Sequence, residues 1–521
     1  MISARSWKFS VALIVMTIIT FAPVLRNGFV AWDDPQTFME NPDLNPPTIA
    51  RTLRFWNPVN PIAGLYVPIT YTVWAAISSV ARDGAGTWHA WPFHLASVLA
   101  HCASAVLAFA IFRQLLDRDW PAFAGAMLFA LHPLQVESVA WASGLKDVLA
   151  GCLALAALRL HLRSRHIAST ILFTLAMLAK PSAASVLLIA LSIDLLIVRK
   201  PIVEIARSLG AWLIMAVPLL VIARIAQTTE LVQPVAIPRR ALVAMDAVAF
   251  YLGKLFAPLN LATDYGRTPA HVFSTGIGSA LLVLALAVIA IAVSRSRVVI
   301  ASALILLGGL VFNLGLVPFQ FQLYSTVADH YIYLAMLGPA LAAAYAVGRL
   351  PLRISLPIAA IAIATLGVLS VRQTLIWRDS VTLFTHSVMV NPHSAGLHNN
   401  LGRALGERSD LDGAAEHFRA ALAIQSGTAL ARRNLALVEF RRGNIDAAIE
   451  QLKQSIEMME RDYQDVSADR RDLVRWLAER ERWPEVVEQL ERAQIRDPMN
   501  ADIARLLETA RRRATTAPTQ P

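Results

Sequence analysis

Through residue 371 the chain alternates long apolar runs with short polar turns. Measured against the roughly 20 residues that cross a bilayer, or fewer where helices pair inside a bundle, the pattern predicts about eleven spanning helices. They fall at 8–25, 92–112, 121–133, 147–161, 167–180, 182–198, 208–226, 275–293, 298–317, 331–348 and 354–371. Two more apolar stretches, "YVPITYTVWAAISSVA" at 66–81 and "ALVAMDAVAFYLGKLFA" at 241–257, would spoil the sidedness of the basic turns if they crossed. Both are expected as helices lying at or dipping into the outer interface. The first 25 residues have a basic start and an apolar core without a small-x-small cleavage site, which predicts an uncleaved signal anchor.

Beyond residue 371 the chain repeats itself. "HNNLGRALGERSDLDGAAEHFRAAL" and "RNLALVEFRRGNIDAAIEQLKQSI" align with a shift of 34 residues, pairing Leu401 with Leu435, Gly402 with Ala436, Ala414 with Ala448, Phe418 with Leu452 and Ala421 with Ser455. That period, with small residues where helices approach closely, predicts tetratricopeptide (TPR) repeats. A further copy is expected over 467–500, ending at Pro498, and "LFTHSVMVNP" at 383–392 has the form of a lone second helix. The expected organisation is all-α: a membrane domain over 1–371, a soluble TPR solenoid over 372–514 on the outer face, and a disordered tail, "TTAPTQP", over 515–521.

Composition agrees with that division. The chain is 56% apolar and only 16% charged, with mean hydropathy +0.51, which excludes an ordinary soluble globule. Residues 372–521 carry 22 basic and 22 acidic side chains, so the entire net charge of +10 belongs to 1–371. There the basic residues sit in alternate turns, which predicts a cytoplasmic N-terminus and an outward-facing C-terminal half. No basic stripe interleaved with aromatics suggests nucleic acid. Cys102 and Cys152 fall in different apolar runs and read as core residues rather than a metal or disulfide framework.

Four groups of polar residues fall in the predicted outer segments: Asp33-Asp34; His132, Glu137, Lys146 and Asp147 within "HPLQVESVAWASGLKD"; Lys180-Pro181; and "LATDYGR" with "VADHYIYLAMLG", carrying Asp264, Tyr265, Arg267, Asp329, His330, Tyr331 and Tyr333. A carboxylate beside a low-dielectric surface can act as a general base or join neighbours around a divalent metal. Lys146, Lys180 and Arg267 have the chemistry to hold a phosphate. Duller roles compete: a turn and helix cap at Asp33-Asp34, a span terminus at His132, an interfacial ion pair between Glu137 and Lys146, an aromatic belt at Tyr331 and Tyr333. Asp194, inside an apolar run, is expected to pair with another span, and His94 with His101 reads as a packed seam.

Together, "FVAWDDPQTFMENPDL", "HPLQVESVAWASGLKDVLAG", "LAKPSA", "LLIALSIDLL", "ADHYIYLAMLGP" and "WRDSVTLFTHSVMVNPHSAGLHNNLG", followed by the repeats, resemble the TMTC-type transmembrane, tetratricopeptide-containing O-mannosyltransferases and their bacterial relatives, of the GT-C glycosyltransferase superfamily. The resemblance runs in order through nearly the whole chain. It implies transfer of a sugar from a polyprenyl-phosphate-linked donor to a hydroxyl of a protein or other acceptor at the outer face, with the repeats binding the acceptor. It gives the catalytic role to Asp33 and Asp34, with Asp34 slightly favoured as the base. Lys146 and His330 stand where relatives often have arginine, and Ala335 stands in place of the usual proline. His132 or Glu137 would have to join the aspartates for a divalent metal to bind. The competing expectation is a non-catalytic, membrane-anchored TPR scaffold for envelope proteins. A bacterial inner membrane is the expected location.

Overall fold

The computed structural model describes residues 6–59, 61, 64–227, 235–461 and 464–516. Among them the secondary structure is helical, with only two isolated β-bridges. The chain forms two compact units, one through Asn391 and one from Pro392.

In the first unit, each of the eleven expected stretches carries a helix. Five helices are long and apolar enough to cross a membrane unaided: Trp7–Arg26, Trp91–Leu116, Pro181–Val198, Ile202–Ala226 and Leu352–Ile376. Two bent pairs raise the number to seven, Pro133–Ala140 with Ala142–His161 and Pro269–Thr275 with Gly278–Ser294. Asp119–Leu131, His166–Ala179 and Arg297–Asn313 are apolar but shorter, so eleven crossings would require these three and Leu337–Arg349 to span from within the bundle. Ile225, Val293 and Ile361 stand 78%, 76% and 69% exposed. Side chains of that kind, displayed along whole helices, need a lipid solvent; the chain is a membrane protein. The two stretches assigned to the interface are helices too, Pro68–Ser78 and Ile237–Phe256.

Residues 372–391, expected with the repeats, belong to the first unit. Helix Ser380–Val390 places Phe384 against Trp32, ring centres 6.1 Å apart, and Ser380 Oγ accepts the Ala31 N–H at 2.9 Å. The apolar face that made this segment look like a repeat helix is covered by the first loop instead. That loop has its own aromatic core: Phe38 lies 4.4 Å from Phe93 and 5.3 Å from Trp74, and Phe55 stacks on Tyr71 at 4.3 Å.

The second unit is a series of antiparallel helix pairs: Ala395–Glu407 with Leu411–Ile424, Ala429–Arg441 with Ile445–Arg461, and Ser467–Glu479 with Trp483–Arg496, followed by Ala501–Thr516. The residues matched by the 34-residue shift are the buried ones, Leu401, Ala414, Phe418 and Ala421 in one pair and Leu435, Ala448, Leu452 and Ser455 in the next. Thr515 and Thr516, assigned to the tail, close the last helix, and 517–521 lie outside the described residues. A Cβ on Gly402 would come within 2.8 Å of the Phe418 ring. Gly402→Val should therefore cost about 1–3 kcal/mol through overpacking. Limited proteolysis of the full chain is expected to cut within 392–461 at a lower temperature than in the parent; unchanged cutting would contradict the packing.

Candidate active site

The polar groups expected at the outer face are assembled around a sharp bend. Helix Asp119–Leu131 stops at His132 because Pro133 bars the preceding residue from helical geometry, and a 3-10 turn, the short helix Val136–Ala140 and a second turn over Ala142–Gly144 lead into Leu145–His161. The two arms of this apolar segment meet at 101°. Gly144 is required at the corner, where a Cβ would stand 2.6 Å from the Ser138 carbonyl oxygen.

Asp34 reaches this corner from the first loop. Its carboxylate is fully buried, with Oδ1 accepting the Ser143 hydroxyl at 2.6 Å and the Ser143 N–H at 3.1 Å, and Oδ2 accepting the Val30 N–H at 2.9 Å. Burial pushes its pKa up to about 6 in spite of these hydrogen bonds, which act in the opposite direction. Asp33 is exposed, and its charge is felt at Tyr71 and Tyr331. Adjacent identical residues thus occupy opposite environments. The favoured base of the sequence reading, Asp34, has both oxygens engaged by the protein, whereas Asp33 faces outward.

Two lysines act on one another at this end. Lys180 pairs with Asp147 and lies 5.7 Å from the Tyr331 ring centre. Lys146 has no acid within ion-pair distance among the described residues, and its ammonium sits 4.7 Å from the Trp141 ring centre. The expected ion pair of Glu137 with Lys146 is not formed, because Glu137 belongs to His330: Oε1 meets the His330 Nδ1 at 2.9 Å and Oε2 accepts its backbone N–H at 3.1 Å. Asp147, Lys180, Ser182, Asn313, His330 and Tyr331 line a crevice of about 30 Å³, room for a water or two, so the bulk of any substrate must lie outside it.

The remaining candidates serve the scaffold around this centre. Tyr265 donates to Asp329 at 2.7 Å. Burial first, and then the Glu137 charge, hold the Asp329 carboxyl well above the usual carboxylate range. Asp264 accepts the Gly266 N–H at 2.7 Å. Arg267 forks onto Asp246, with Nε at 2.9 Å from Oδ2 and Nη2 on Oδ1, which commits its planar face to protein rather than phosphate. Tyr333 is buried, its hydroxyl 2.9 Å from His101 Nδ1. His132 accepts the Leu134 N–H through Nδ1 and donates from Nε2 to the Leu255 carbonyl at 3.1 Å, so it braces the bend. No three His, Cys, Asp or Glu side chains among the described residues are arranged to hold a metal ion. His132 and Glu137, the two expected to join the aspartates, are bonded elsewhere.

Three residues essential to this geometry were not singled out from sequence. Ser143 and Trp141 lie inside a quoted motif but carry no spacing signal, and Asp246 pairs with Arg267 across 21 positions. A carboxylate on the polar side of an otherwise apolar helix was the available clue to Asp246.

Residues 393–461 match the family model of the tetratricopeptide repeat. Over 426 residues the chain is 25% identical to protein O-mannosyl-transferase F38B6.6 of Caenorhabditis elegans, covering 76% of this chain and 59% of that protein. Over 192 residues it is 30% identical to protein O-mannosyl-transferase Tmtc1 of Drosophila melanogaster, covering 35% and 22% of the two chains. The chain thus spans well under the full length of both relatives. Among solved structures, ArnT from Cupriavidus metallidurans, bound to undecaprenyl phosphate, matches over 87% of this chain and 80% of its own, with 13% identity and a TM-score of 0.37. By sequence, this chain is similar to the TMTC-type protein O-mannosyl-transferases.

Proposed function

We propose that this protein is a membrane glycosyltransferase that moves a mannose-like hexose from a polyprenyl-phosphate-linked donor to a hydroxyl of a protein acceptor, with Asp33 as the general base. The observation that carries the reading is the contrast at Asp33. It is an exposed carboxylate whose charge reaches Tyr331, the ring that faces Lys180, while Asp34, Glu137, Asp147, Asp246 and Asp329 all have protein partners. The similarity to O-mannosyl-transferases supports the reaction class.

In this mechanism the ionised Asp33 takes the acceptor's hydroxyl proton as that oxygen attacks the anomeric carbon. The bond from that carbon to the phosphate oxygen breaks, and the lipid phosphate leaves with the electron pair. Lys146 and Lys180 stabilise the charge developing on the phosphate. Asp34 positions the loop that carries Asp33. The repeat unit binds the acceptor protein. The sidedness of the basic turns supports a cytoplasmic N-terminus and a reaction on the opposite face, taken here as the periplasmic face of a bacterial inner membrane.

Asp33→Asn should lower sugar transfer from polyprenyl-phosphate donors by about 10²–10⁴-fold with an unchanged size profile in detergent; a well-folded variant that retains transfer would remove Asp33 as the base. Lys146→Ala should lower the rate by about 10²-fold without shifting the unfolding midpoint. Asp34→Asn tests the positioning role through pH. The folded-state pKa of Asp34 lies above the ordinary 3.8, so the stability its protonated form supplies is complete below pH 3.8 and is lost as pH rises through about 6. The parent's stability relative to Asp34→Asn should therefore fall by about 3 kcal/mol between pH 3.8 and pH 7, read by thermal unfolding in detergent; a difference independent of pH would contradict it.

A further inference from the structure

A second charged centre lies at the far end of the bent segment. Helix Leu145–His161 has 17 residues, so about 25 Å separates Lys146 from that end. There Asp194, the acid inside an apolar run, is wholly buried, 2.7 Å from His161 Nε2 and 3.0 Å from the Lys200 ammonium. These bonds fix the turn that follows, so that Ile197, Val198 and Lys200 form one side of a groove completed by Gln114, Leu115 and Leu162, with a volume of about 270 Å³. Gln114 Nε2 donates to the Leu162 carbonyl at 2.7 Å and holds the other side together.

Beside this groove positive charge is left uncompensated. Arg113 pairs with Asp119, but Arg159 and Arg163 have no acid within ion-pair distance among the described residues. Arg159 sits in the field of Arg113 and Arg163, and its Nη1 is shielded from solvent with no hydrogen-bond partner. A guanidinium donor left unmade in a shielded position is costly, and an anion would satisfy it. The walls say which kind: four of the six lining residues are aliphatic, and the surface continues through Leu195, Ile202 and Val203, exposed by 40%, 66% and 57%.

We propose that this groove binds an anionic phospholipid. Its phosphate lies against Arg159, Arg163 and the Lys200 ammonium, and an acyl chain packs on Leu115, Leu162, Ile197 and Val198. A free anion would gain nothing from the aliphatic walls, and a zwitterionic headgroup would bring its own cation to a site already in positive excess. Basic residues at helix C-termini also complement the helix dipole and the inner membrane surface. Arg295, just past the C-terminus of Gly278–Ser294, has those roles, and with Arg297 at the start of Arg297–Leu310 it lies outside the lining of this groove and provides the control. The inference does not depend on the proposed sugar transfer.

The test measures retention of dioleoyl phosphatidylglycerol and dioleoyl phosphatidylcholine by the full chain in detergent, using native mass spectrometry. The parent should retain phosphatidylglycerol preferentially. Arg159→Gln with Arg163→Gln should weaken that retention by roughly tenfold or more, at about fivefold for each basic group near an anionic headgroup. Arg295→Gln with Arg297→Gln should leave it unchanged. Ile197→Asn, which keeps every basic side chain, should weaken retention of the same lipid and guards against misfolding of the arginine pair. Equal retention of both lipids by the parent, or equal loss from the groove and control variants, would overturn the proposal.

Discussion

The end of the membrane unit that gathers the candidate residues depends on one buried carboxylate. Removing a carboxylate from water is expensive, and Asp34 offsets the cost with three hydrogen bonds, two from Ser143 and one from Val30. The bonds join the first loop to the corner at Ala142–Gly144, and that corner sets the start of the helix carrying Lys146 and Asp147. Asp33 is thereby held against a rigid reference. Successive side chains near helical backbone geometry diverge by about 100°, so anchoring Asp34 inward turns Asp33 outward.

The same end holds many carboxylates, and their local neutralisation defines what is left to act. Glu137 is hydrogen-bonded by His330, Asp147 is paired with Lys180 and Asp246 with Arg267, and Asp329, whose carboxyl burial raises well above the usual range, accepts from Tyr265. Without those pairings, like charges in a weakly solvated corner would repel one another and any phosphate brought near them. With them, the charged candidate residues left without an ion-pair partner among the described residues include the Asp33 carboxylate and the Lys146 ammonium, one of each sign.

Periodicity made the fold legible. Apolar runs marked the eleven expected helices and the two interfacial ones of the membrane unit but not the short Ile49–Arg54 and Pro269–Thr275, and the 34-residue shift marked side chains that are buried in successive helix pairs, because each repeat packs its small residues at the same helix contact. Periodicity could not say which neighbour covers an apolar face, so Ser380–Val390 was grouped with the repeats although Phe384 packs on Trp32. At the site, the residue types were legible and their partners were not. Arg267 and Lys146 look equivalent in sequence, yet Asp246 engages one and only the Trp141 ring faces the other. A partner across the fold leaves no local trace, which is also why Ser143 was passed over beside Asp34.

His330 shows how a departure from the resembled motif can change a role without breaking the structure. An arginine there would present a planar fork to a carboxylate or phosphate. With histidine, the fork is rebuilt from the ring Nδ1 and the residue's own backbone N–H, which engage the two oxygens of Glu137 separately. Glu137 is satisfied by a shorter side chain, and position 330 is spent on holding the bend to the loop after Ala328. In the proposed mechanism, phosphate recognition then falls to Lys146 and Lys180, which attract charge without fixing its orientation. Orientation must come from the walls, and the ones available are Tyr331 beneath Lys180 and Trp141 beneath Lys146, two aromatic faces that hold the ammonium groups in place.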